Sequence, residues 1–299
     1  MYRFWVFCLV LLSACENTAT GPSTPSYFLP PVPDTVVPPP PPPPPAPVPT
    51  EFPFGAPKNI SWPESGPINW TFAFPTLWGF AEQDTMAFRY GWKSEKFVVN
   101  PGECFGGDCQ RSPVFERKEY SENKMATEGD EYWYAWSFYF PKASNTPNVP
   151  NNDNWVFLGQ FIQTPADSTV GYDSIWMFFK RWGRPFCMVF DWVKDGSSSF
   201  DHCSGSNIEL ISNADFAGKW HDIVMHVIWS ENKGLTEIWV DGELKGVRNG
   251  YTLTPRHKGI WFKYGIYRTS INRTTTIYYD ELRKGKKREE VDIRMLTAP

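Results

Sequence analysis

The segment Trp261–Arg268, with the sequence WFKYGIYR, carries a lysine and a tyrosine four residues apart. Side chains alternate between the faces of a β-strand, so Lys263, Gly265 and Tyr267 share one face, with the lysine and tyrosine roughly 13 Å apart. Such a row suits an acidic sugar chain, and Gly265 removes bulk where a ligand could approach the backbone. Trp261 extends the row, and Phe262, Tyr264 and Ile266 point the other way. A half-buried strand with Lys263 in solvent is the alternative interpretation.

The composition excludes one class of function and leaves others open. The chain has 299 residues and a formal net charge of -4, which argues against a dedicated nucleic-acid-binding protein. Aromatic residues make up 17% of the chain, including 15 tryptophans. These can fill a β-sandwich core or stack on sugar rings, and composition does not separate the two uses.

The first 15 residues have the pattern of a targeting segment. An apolar run from Phe4 to Leu12 is too short to span a bilayer, and it leads into Leu-Ser-Ala-Cys at positions 12–15. This pattern resembles a bacterial lipobox, with cleavage before Cys15 and lipid attached to its thiol. The alternative is an ordinary secretory signal. We therefore expect a location in the bacterial cell envelope, with a lipid anchor in the membrane, or secretion. Glu16 in place of an aspartate favours the outer membrane.

Residues 16–50 are of low complexity and contain eight successive prolines, Pro38–Pro45. Such a run forms an extended polyproline II segment, which acts as a stiff spacer. We predict a disordered, proline-rich stalk here, followed by one large domain over residues 51–299.

Four cysteines remain once Cys8 is removed with the signal and Cys15 is lipidated: Cys104, Cys109, Cys187 and Cys203. An even number in an exported protein permits two disulfides. The pairing between sequence neighbours, Cys104 with Cys109 and Cys187 with Cys203, is one of three connectivities. A metal site is disfavoured because the Cys-x4-Cys spacing has no second matching pair.

From residue 52 onward the pattern is almost entirely that of β-strands. Apolar and aromatic runs separated by turn residues predict an all-β fold of two packed antiparallel sheets, a sandwich or jelly roll. Asp241-Gly242 is a hairpin turn signal. The predicted strands are Glu131–Phe140, Trp155–Gln163, Ile175–Arg181, Pro185–Val193, Trp220–Trp229, Thr236–Val240, Glu243–Val247 and Thr274–Arg283.

Three segments, in this order, resemble motifs of the jelly-roll polysaccharide lyases, which have a concanavalin A-like fold and include alginate lyases, heparin lyase I-like enzymes and glucuronan lyases. Glu116–Tyr120 (ERKEY) is similar to the family's Arg-x-Glu strand. Gln160–Gln163 (QFIQ) stands at the place of its Gln-x-His strand, and Phe262–Tyr267 (FKYGIY) is similar to its Phe-Lys-x-Gly-x-Tyr strand. The resemblance covers residues 53–285.

The resemblance implies a β-elimination on a uronate-containing glycan. Gln160 and Arg117 would hold the uronate carboxylate, and Tyr267 would serve as base, acid or both, assisted by Lys263. A nearby ammonium and guanidinium would lower the pKa of the phenol. Glu119 would orient Arg117 through a two-point ion pair. Trp261 and His202 are further candidate substrate-binding residues.

One position departs from the family pattern. Ile162 stands where the family has histidine. This leaves three alternatives: Tyr267 performs both proton transfers, a histidine elsewhere takes the place of the family's histidine, or the site binds the glycan without catalysis. His202, beside Cys203, is the best candidate replacement. His221 and His226 are predicted to be structural and His257 exposed.

These observations predict a polysaccharide lyase and leave a non-catalytic carbohydrate-binding protein on the same fold as the alternative. A concanavalin-like glycoside hydrolase is disfavoured, because the paired carboxylates that it needs on one strand are absent from the sequence pattern. We expect an acidic polysaccharide as partner, no nucleic acid and a monomer. No cofactor is expected; a structural calcium ion would leave no mark in this sequence.

Overall fold

The computed structural model describes residues 70–72, 81–91, 93–104, 106–122, 125–145, 155–166, 173–190, 207–255 and 257–295. In this part of the chain the protein is a sandwich of two seven-stranded antiparallel sheets. The predicted all-β jelly-roll fold is therefore confirmed. Cys15, the stalk, His202 and Cys203 lie outside the described residues and stay predictions.

The first sheet has the strand order β1-β4-β13-β6-β7-β8-β9. Its centre is formed by the three strands that carry the sequence motifs, β4, β13 and β6. The bounds are β1 Trp70–Phe72, β4 Phe115–Glu122, β13 His257–Thr269, β6 Trp155–Pro165, β7 Asp173–Arg181, β8 Phe186–Phe190 and β9 Ile208–Ile211.

The second sheet has the order β12-β11-β10-β5-β14-β3-β2. Asp241 and Gly242, with φ of 53° and 87°, form the tight turn between β11 and β12 that the sequence indicates. The bounds are β12 Glu243–Gly250, β11 Gly234–Val240, β10 Trp220–Ile228, β5 Glu131–Tyr139, β14 Thr275–Gly285, β3 Ser94–Val99 and β2 Glu82–Asp84. All eight strands predicted from apolar runs are present with shifted ends, and residues 191–193 fall outside the described part.

The core between the sheets is built from aromatic rings. Phe262, Tyr264 and Ile266 of β13 point into it, as the alternation of the strand predicts. Phe262 packs against Trp136 of β5 at 4.7 Å between ring centroids and against Phe161 of β6 at 4.8 Å. One face of β13 is thus fixed by the core, which leaves the opposite face for the site.

The pairing of β13 with β6 is interrupted between Tyr264 and Tyr267, where the register shifts. The hydroxyl of Tyr279, on β14 of the second sheet, reaches across the core to this interruption. It contacts the carbonyl oxygens of Leu158 and Gly265, the latter at 2.9 Å. A side chain from one sheet therefore satisfies backbone groups that the other sheet leaves unpaired.

A half-buried carboxyl group in contact with the core makes stability depend on pH. The Tyr264 hydroxyl donates to Oε2 of Glu95 at 2.6 Å, and burial raises the pKa of Glu95 to about 7. Because the folded-state pKa lies above the ordinary value, the folded state binds the proton more tightly, and stability falls as the pH rises from about 4.5 to 7.

We expect Glu95→Gln to remove most of this pH dependence, because an amide oxygen still accepts the Tyr264 hydrogen bond and does not ionise. Urea unfolding at pH 5 and pH 8 measures it. The wild type should lose on the order of 2 kcal/mol more than the variant over this range, since one pKa unit corresponds to about 1.4 kcal/mol and the side chain keeps some solvent contact. An equal loss in both proteins would contradict the assignment.

No helix within the described ranges is long and apolar enough to span a membrane.

Candidate functional site

The centre of the first sheet brings together four residues that the sequence predicted to act together. Antiparallel pairing sets Tyr267 of β13 opposite Arg117 of β4, and Lys263 opposite Gln160 of β6. Paired residues lie on the same face of a sheet, so Arg117, Lys263, Tyr267 and Gln160 share the face that points away from the core. Three separate motifs therefore form one surface.

Glu119 lies at the centre of this surface, opposite Gly265 on β13. Its carboxylate is 2% exposed, accepts a hydrogen bond from the Gln160 amide at 2.6 Å and lies 3.4 Å from Nη1 of Arg117. The hydroxyl of Ser174 donates to the carbonyl oxygen of the same amide at 3.2 Å. Glu119 and Ser174 together fix which way the Gln160 amide points.

Arg117 is held by a residue that the sequence did not single out. Arg117 donates from Nε to Oδ2 of Asp108 at 2.5 Å and from Nη2 to Oδ1 at 2.8 Å. These two contacts form a two-point ion pair. The predicted two-point pair with Glu119 is therefore wrong, because Glu119 makes one longer contact and gives its other oxygen to Gln160. Burial acts to lower the pKa of Arg117, but Glu119 and Asp108 outweigh it and raise the pKa.

Tyr267 lies under the Arg117 guanidinium, with Cζ 3.9 Å from the ring centroid. The expectation that its phenol pKa is lowered is wrong. Burial raises the pKa of Tyr267 to about 12, and Arg117 offsets only part of this effect because Asp108 and Glu119 act against it. The phenol is therefore protonated at neutral pH in the protein without ligand.

Lys263 is 7% exposed, not on a solvated face. Burial lowers the pKa of Lys263, while the neighbouring Glu119 acts to raise it. An ammonium in this position is poorly hydrated and stands next to a carboxylate, so it interacts strongly with an anionic group brought to this surface.

Three aromatic rings, those of Phe115, Trp155 and Phe157, pack against Tyr267 on the side away from Lys263. Phe115 and Trp155 contact the Tyr267 ring edge-on at 5.5 Å each, and Phe157 lies at 5.9 Å. Arg111, with 61% of its side chain exposed, lies 5.3 Å from the Phe115 ring. These contacts hold the plane of the tyrosine ring.

Gly265 has a different role from the one predicted. Its φ is +134°, and a Cβ built there would overlap the carbonyl oxygen of Lys118 and approach Cα of Glu119 to 2.9 Å and the Phe97 ring to 3.0 Å. The glycine is therefore required by the neighbouring strand and by the core.

Two further residues of the motif strands have defined places. Ile162 pairs with the half-buried Trp261, on the face of Gln160. Arg268 is buried and faces away from Tyr267, with its Nη2 2.7 Å from Oε2 of Glu116, so it adds no charge to this surface.

The described histidines lie away from this surface. His221 and His226 belong to β10 of the second sheet, where Asp241 contacts the first at 2.8 Å and Glu131 and Glu237 contact the second at 2.7 Å. His257 is half-buried, not exposed as predicted, because its Nδ1 packs on the Thr254 hydroxyl at 2.8 Å. It lies ten residues from Tyr267 on one strand, roughly 30 Å away.

Cys104 and Cys109 form a disulfide. Cys187 is also disulfide-bonded. Among the described residues, no group of three or more His, Cys, Asp or Glu side chains is arranged to hold a metal ion.

A separate cleft of about 450 Å³ lies where β9 meets β10 and the β11–β12 hairpin. Its lining includes Glu209, Asp215, Lys219, His221 and Asp241. Arg117, Gln160, Lys263 and Tyr267 do not border it, so this cleft is distinct from the surface around Glu119.

Sequence reasoning missed several neighbours of the site, among them Asp108, Ser174, Trp155 and Arg111. Asp108 precedes a cysteine of the Cys-x4-Cys pair, and that position was the one available signal that its loop is held in place. The other three stand on strands or turns whose pairing the sequence does not reveal.

A family model described as polysaccharide lyase matches residues 68–283 of the chain. No match was found among curated proteins. The fold is similar to that of an endo-β-1,4-glucuronan lyase from the fungus Trichoderma reesei, with 16% identity, a TM-score of 0.54, and coverage of 75% of this chain and 96% of that one.

Two further solved structures have lower TM-scores. Alginate lyase A1-II′ is 10% identical, with a TM-score of 0.48 and coverage of 73% of this chain and 94% of the other. Alginate lyase vAL-1 from a Chlorella virus is 13% identical, with a TM-score of 0.44 and coverage of 69% and 90%.

Proposed function

Because the chain belongs to the polysaccharide lyase family, we propose that it cleaves a uronate-containing acidic glycan by β-elimination, with Tyr267 transferring the protons. The observation that carries this proposal is the convergence of Arg117, Gln160, Lys263 and Tyr267 on one face of the first sheet. This set supplies a proton-transfer group and three groups able to meet an anion.

The reaction removes the proton at C5 of the uronate and breaks the bond between C4 and O4. The electron pair of the C5–H bond becomes the C4–C5 double bond, and the pair of the C4–O4 bond leaves on the oxygen. The phenolate of Tyr267 takes the C5 proton and the resulting phenol returns a proton to O4. One group can do both when proton and leaving oxygen lie on the same side of the sugar ring.

The uronate carboxylate must be neutralised for the C5 proton to become acidic. The Gln160 amide, fixed by Glu119 and Ser174, offers an N–H, and Lys263 stands directly opposite it with its ammonium. Arg117 lies over the Tyr267 ring and stabilises the phenolate as it forms. Among the described residues, the site has three cations, Arg111, Arg117 and Lys263, against the two carboxylates of Asp108 and Glu119, which favours an anionic substrate.

The test is an incubation of the purified protein with glucuronan, alginate, heparin and related polyuronates, followed by ultraviolet absorbance. The C4–C5 double bond conjugated to the carboxylate absorbs, whereas the intact polymer does not. Glucuronan is the first polymer to try, since the similar fungal structure is a glucuronan lyase. Binding of a polyuronate without any rise in absorbance would overturn the proposed reaction and favour a carbohydrate-binding protein.

Ile162→His tests whether a second proton-transfer group is missing. If Tyr267 performs both transfers, a histidine opposite Trp261 adds nothing, and kcat/KM should stay within about threefold of the wild type. The side chain is 9% exposed, so a thermal melt must accompany the kinetics. An increase of tenfold or more would show that the aliphatic side chain limits catalysis and that Tyr267 needs a partner.

A further inference from the structure

A short loop before β4 supplies the residue that holds Arg117. It is closed by the disulfide between Cys104 and Cys109, and residues 106–110 form one turn of 3-10 helix. Just ahead of the disulfide, the backbone N–H of Gly102 donates to Oε1 of Glu116 at 2.6 Å. The loop is therefore tied to itself and to β4.

Asp108 stands in this turn, next to Cys109, and is 8% exposed. Its two oxygens face Nε and Nη2 of Arg117, and Glu119 approaches Nη1 from the other side. Two contacts to one edge of a guanidinium fix the direction of its plane as well as its position. That plane lies against the Tyr267 ring, 3.9 Å from its centroid.

Only one of the two carboxylates depends on the loop. Glu119 is carried by β4 itself, whereas Asp108 reaches Arg117 because the loop folds back over the strand. Without Asp108, the guanidinium loses the two contacts that fix the direction of its plane, and the 3.4 Å contact with Glu119 does not by itself hold that plane against the ring. The phenolate formed during the reaction would then lose its nearest cation.

We propose that Asp108 is a positioning residue of the lyase site and that the Cys104–Cys109 disulfide holds it against Arg117, so that reduction of this disulfide lowers turnover. The inference rests on the proposed function. A dithiol reductant transfers two electrons to the S–S bond, two protons complete the two thiols, and the reductant becomes a cyclic disulfide. Loss of Asp108 lowers kcat and leaves KM nearly unchanged, because Arg117 acts on the forming phenolate, whereas Gln160 and Lys263 hold the uronate carboxylate of the substrate.

The kinetic test compares Asp108→Asn, Asp108→Glu and the double variant Cys104→Ser/Cys109→Ser with the wild type on a cleaved polyuronate. Asp108→Asn should lower kcat about 30-fold with KM within threefold, and Asp108→Glu should recover most of the loss. Asp215→Asn is the matched control, because Asp215 is exposed and pairs with Lys219 near the second sheet. An unchanged kcat in Asp108→Asn would overturn the proposal.

Treatment of the wild type and of the double cysteine variant with dithiothreitol distinguishes the effect of the Cys104–Cys109 disulfide from that of the disulfide at Cys187. The wild type should fall about tenfold in kcat, to the level of the Cys104→Ser/Cys109→Ser variant, and the variant itself should not respond. An equal loss in both proteins would assign the effect to Cys187 and refute the role of the loop. If the double variant does not fold, the isosteric Asp108→Asn decides the outcome.

A readout without turnover distinguishes failure of this inference from failure of the proposed function. In protein labelled with ¹³C-tyrosine, the Tyr267 ring resonance is assigned by its absence in Tyr267→Phe. It should move in Asp108→Asn and in the reduced protein, because the stacked guanidinium shifts, and stay in place in Asp215→Asn. If no polyuronate is cleaved, the proposed function has failed, and an unmoved resonance would independently exclude positioning by Asp108.

Discussion

Tyr267→Phe is expected to lower kcat/KM on the cleaved polyuronate at least about 1,000-fold while the domain stays folded. The variant removes only the phenolic oxygen, which in the proposed reaction both takes the C5 proton and protonates O4; a single positioned proton transfer contributes about 100- to 10,000-fold. The ring keeps its contacts with Trp155, Phe115 and Arg117. Initial rates of absorbance increase, with a thermal melt, measure both effects.

Tyr278→Phe is the matched control. Tyr278 is half-buried on β14 of the second sheet, and burial raises its pKa to about 12, as for Tyr267. Loss of the Tyr278 hydroxyl group in this variant should leave kcat/KM unchanged. A Tyr267→Phe protein with more than a tenth of wild-type activity would rule out the assigned base.

The pH profile gives a second view of the same assignment. With a pKa of about 12, the phenolate fraction of Tyr267 rises about tenfold per pH unit through the neutral range. We therefore expect kcat/KM of the wild type to increase from pH 6 to pH 9. A maximum below pH 7 would indicate a different base.

Gly265→Ala is expected to destabilise the domain by about 4 kcal/mol, a large part of the total stability of an ordinary domain. A residue with a Cβ is strained at a φ of +134°, at a cost of about 1–3 kcal/mol. The methyl group would also press on Lys118, Glu119 and Phe97, and overpacking adds about 1–3 kcal/mol. Urea unfolding followed by tryptophan fluorescence measures the loss.

Gly107→Ala provides the comparison, because a Cβ at that glycine meets nothing within 4 Å. Its free energy of unfolding should stay within about 0.5 kcal/mol of the wild type. If Gly265→Ala were equally stable, the conformation of β13 at this residue would differ from the one described.

The parts of the site that follow from strand periodicity could be predicted, and those that depend on tertiary contacts could not. Alternation along β13 places Lys263 and Tyr267 on one face and Phe262 in the core, as the structure shows. Asp108 lies in the short 3-10 helix ahead of β4, and its partnership with Arg117 is set by chain folding across nine positions. No local pattern encodes that contact.

The protonation of Tyr267 was mispredicted for a related reason. The sequence places Lys263 near Tyr267 in the chain, and the resemblance adds Arg117. The phenol pKa, however, depends on how much water the surrounding rings exclude and on which carboxylates neutralise the neighbouring cations. Gly265 was misinterpreted in the same way. Its constraint comes from β4 and from Phe97 on the opposite sheet, neither of which is adjacent in sequence.

The Tyr279 hydroxyl links β13 to the opposite sheet in a way that amide hydrogen exchange can detect. It contacts backbone carbonyls of β6 and β13 where their ladder is interrupted, and its own strand, β14, lies on the far side of the core. Opening of β13 at Gly265 therefore breaks a contact made by β14. Binding of a ligand to the outer face of the first sheet should slow amide exchange in β13 and also in β14. Exchange protection would then change in the second sheet, which the ligand does not contact.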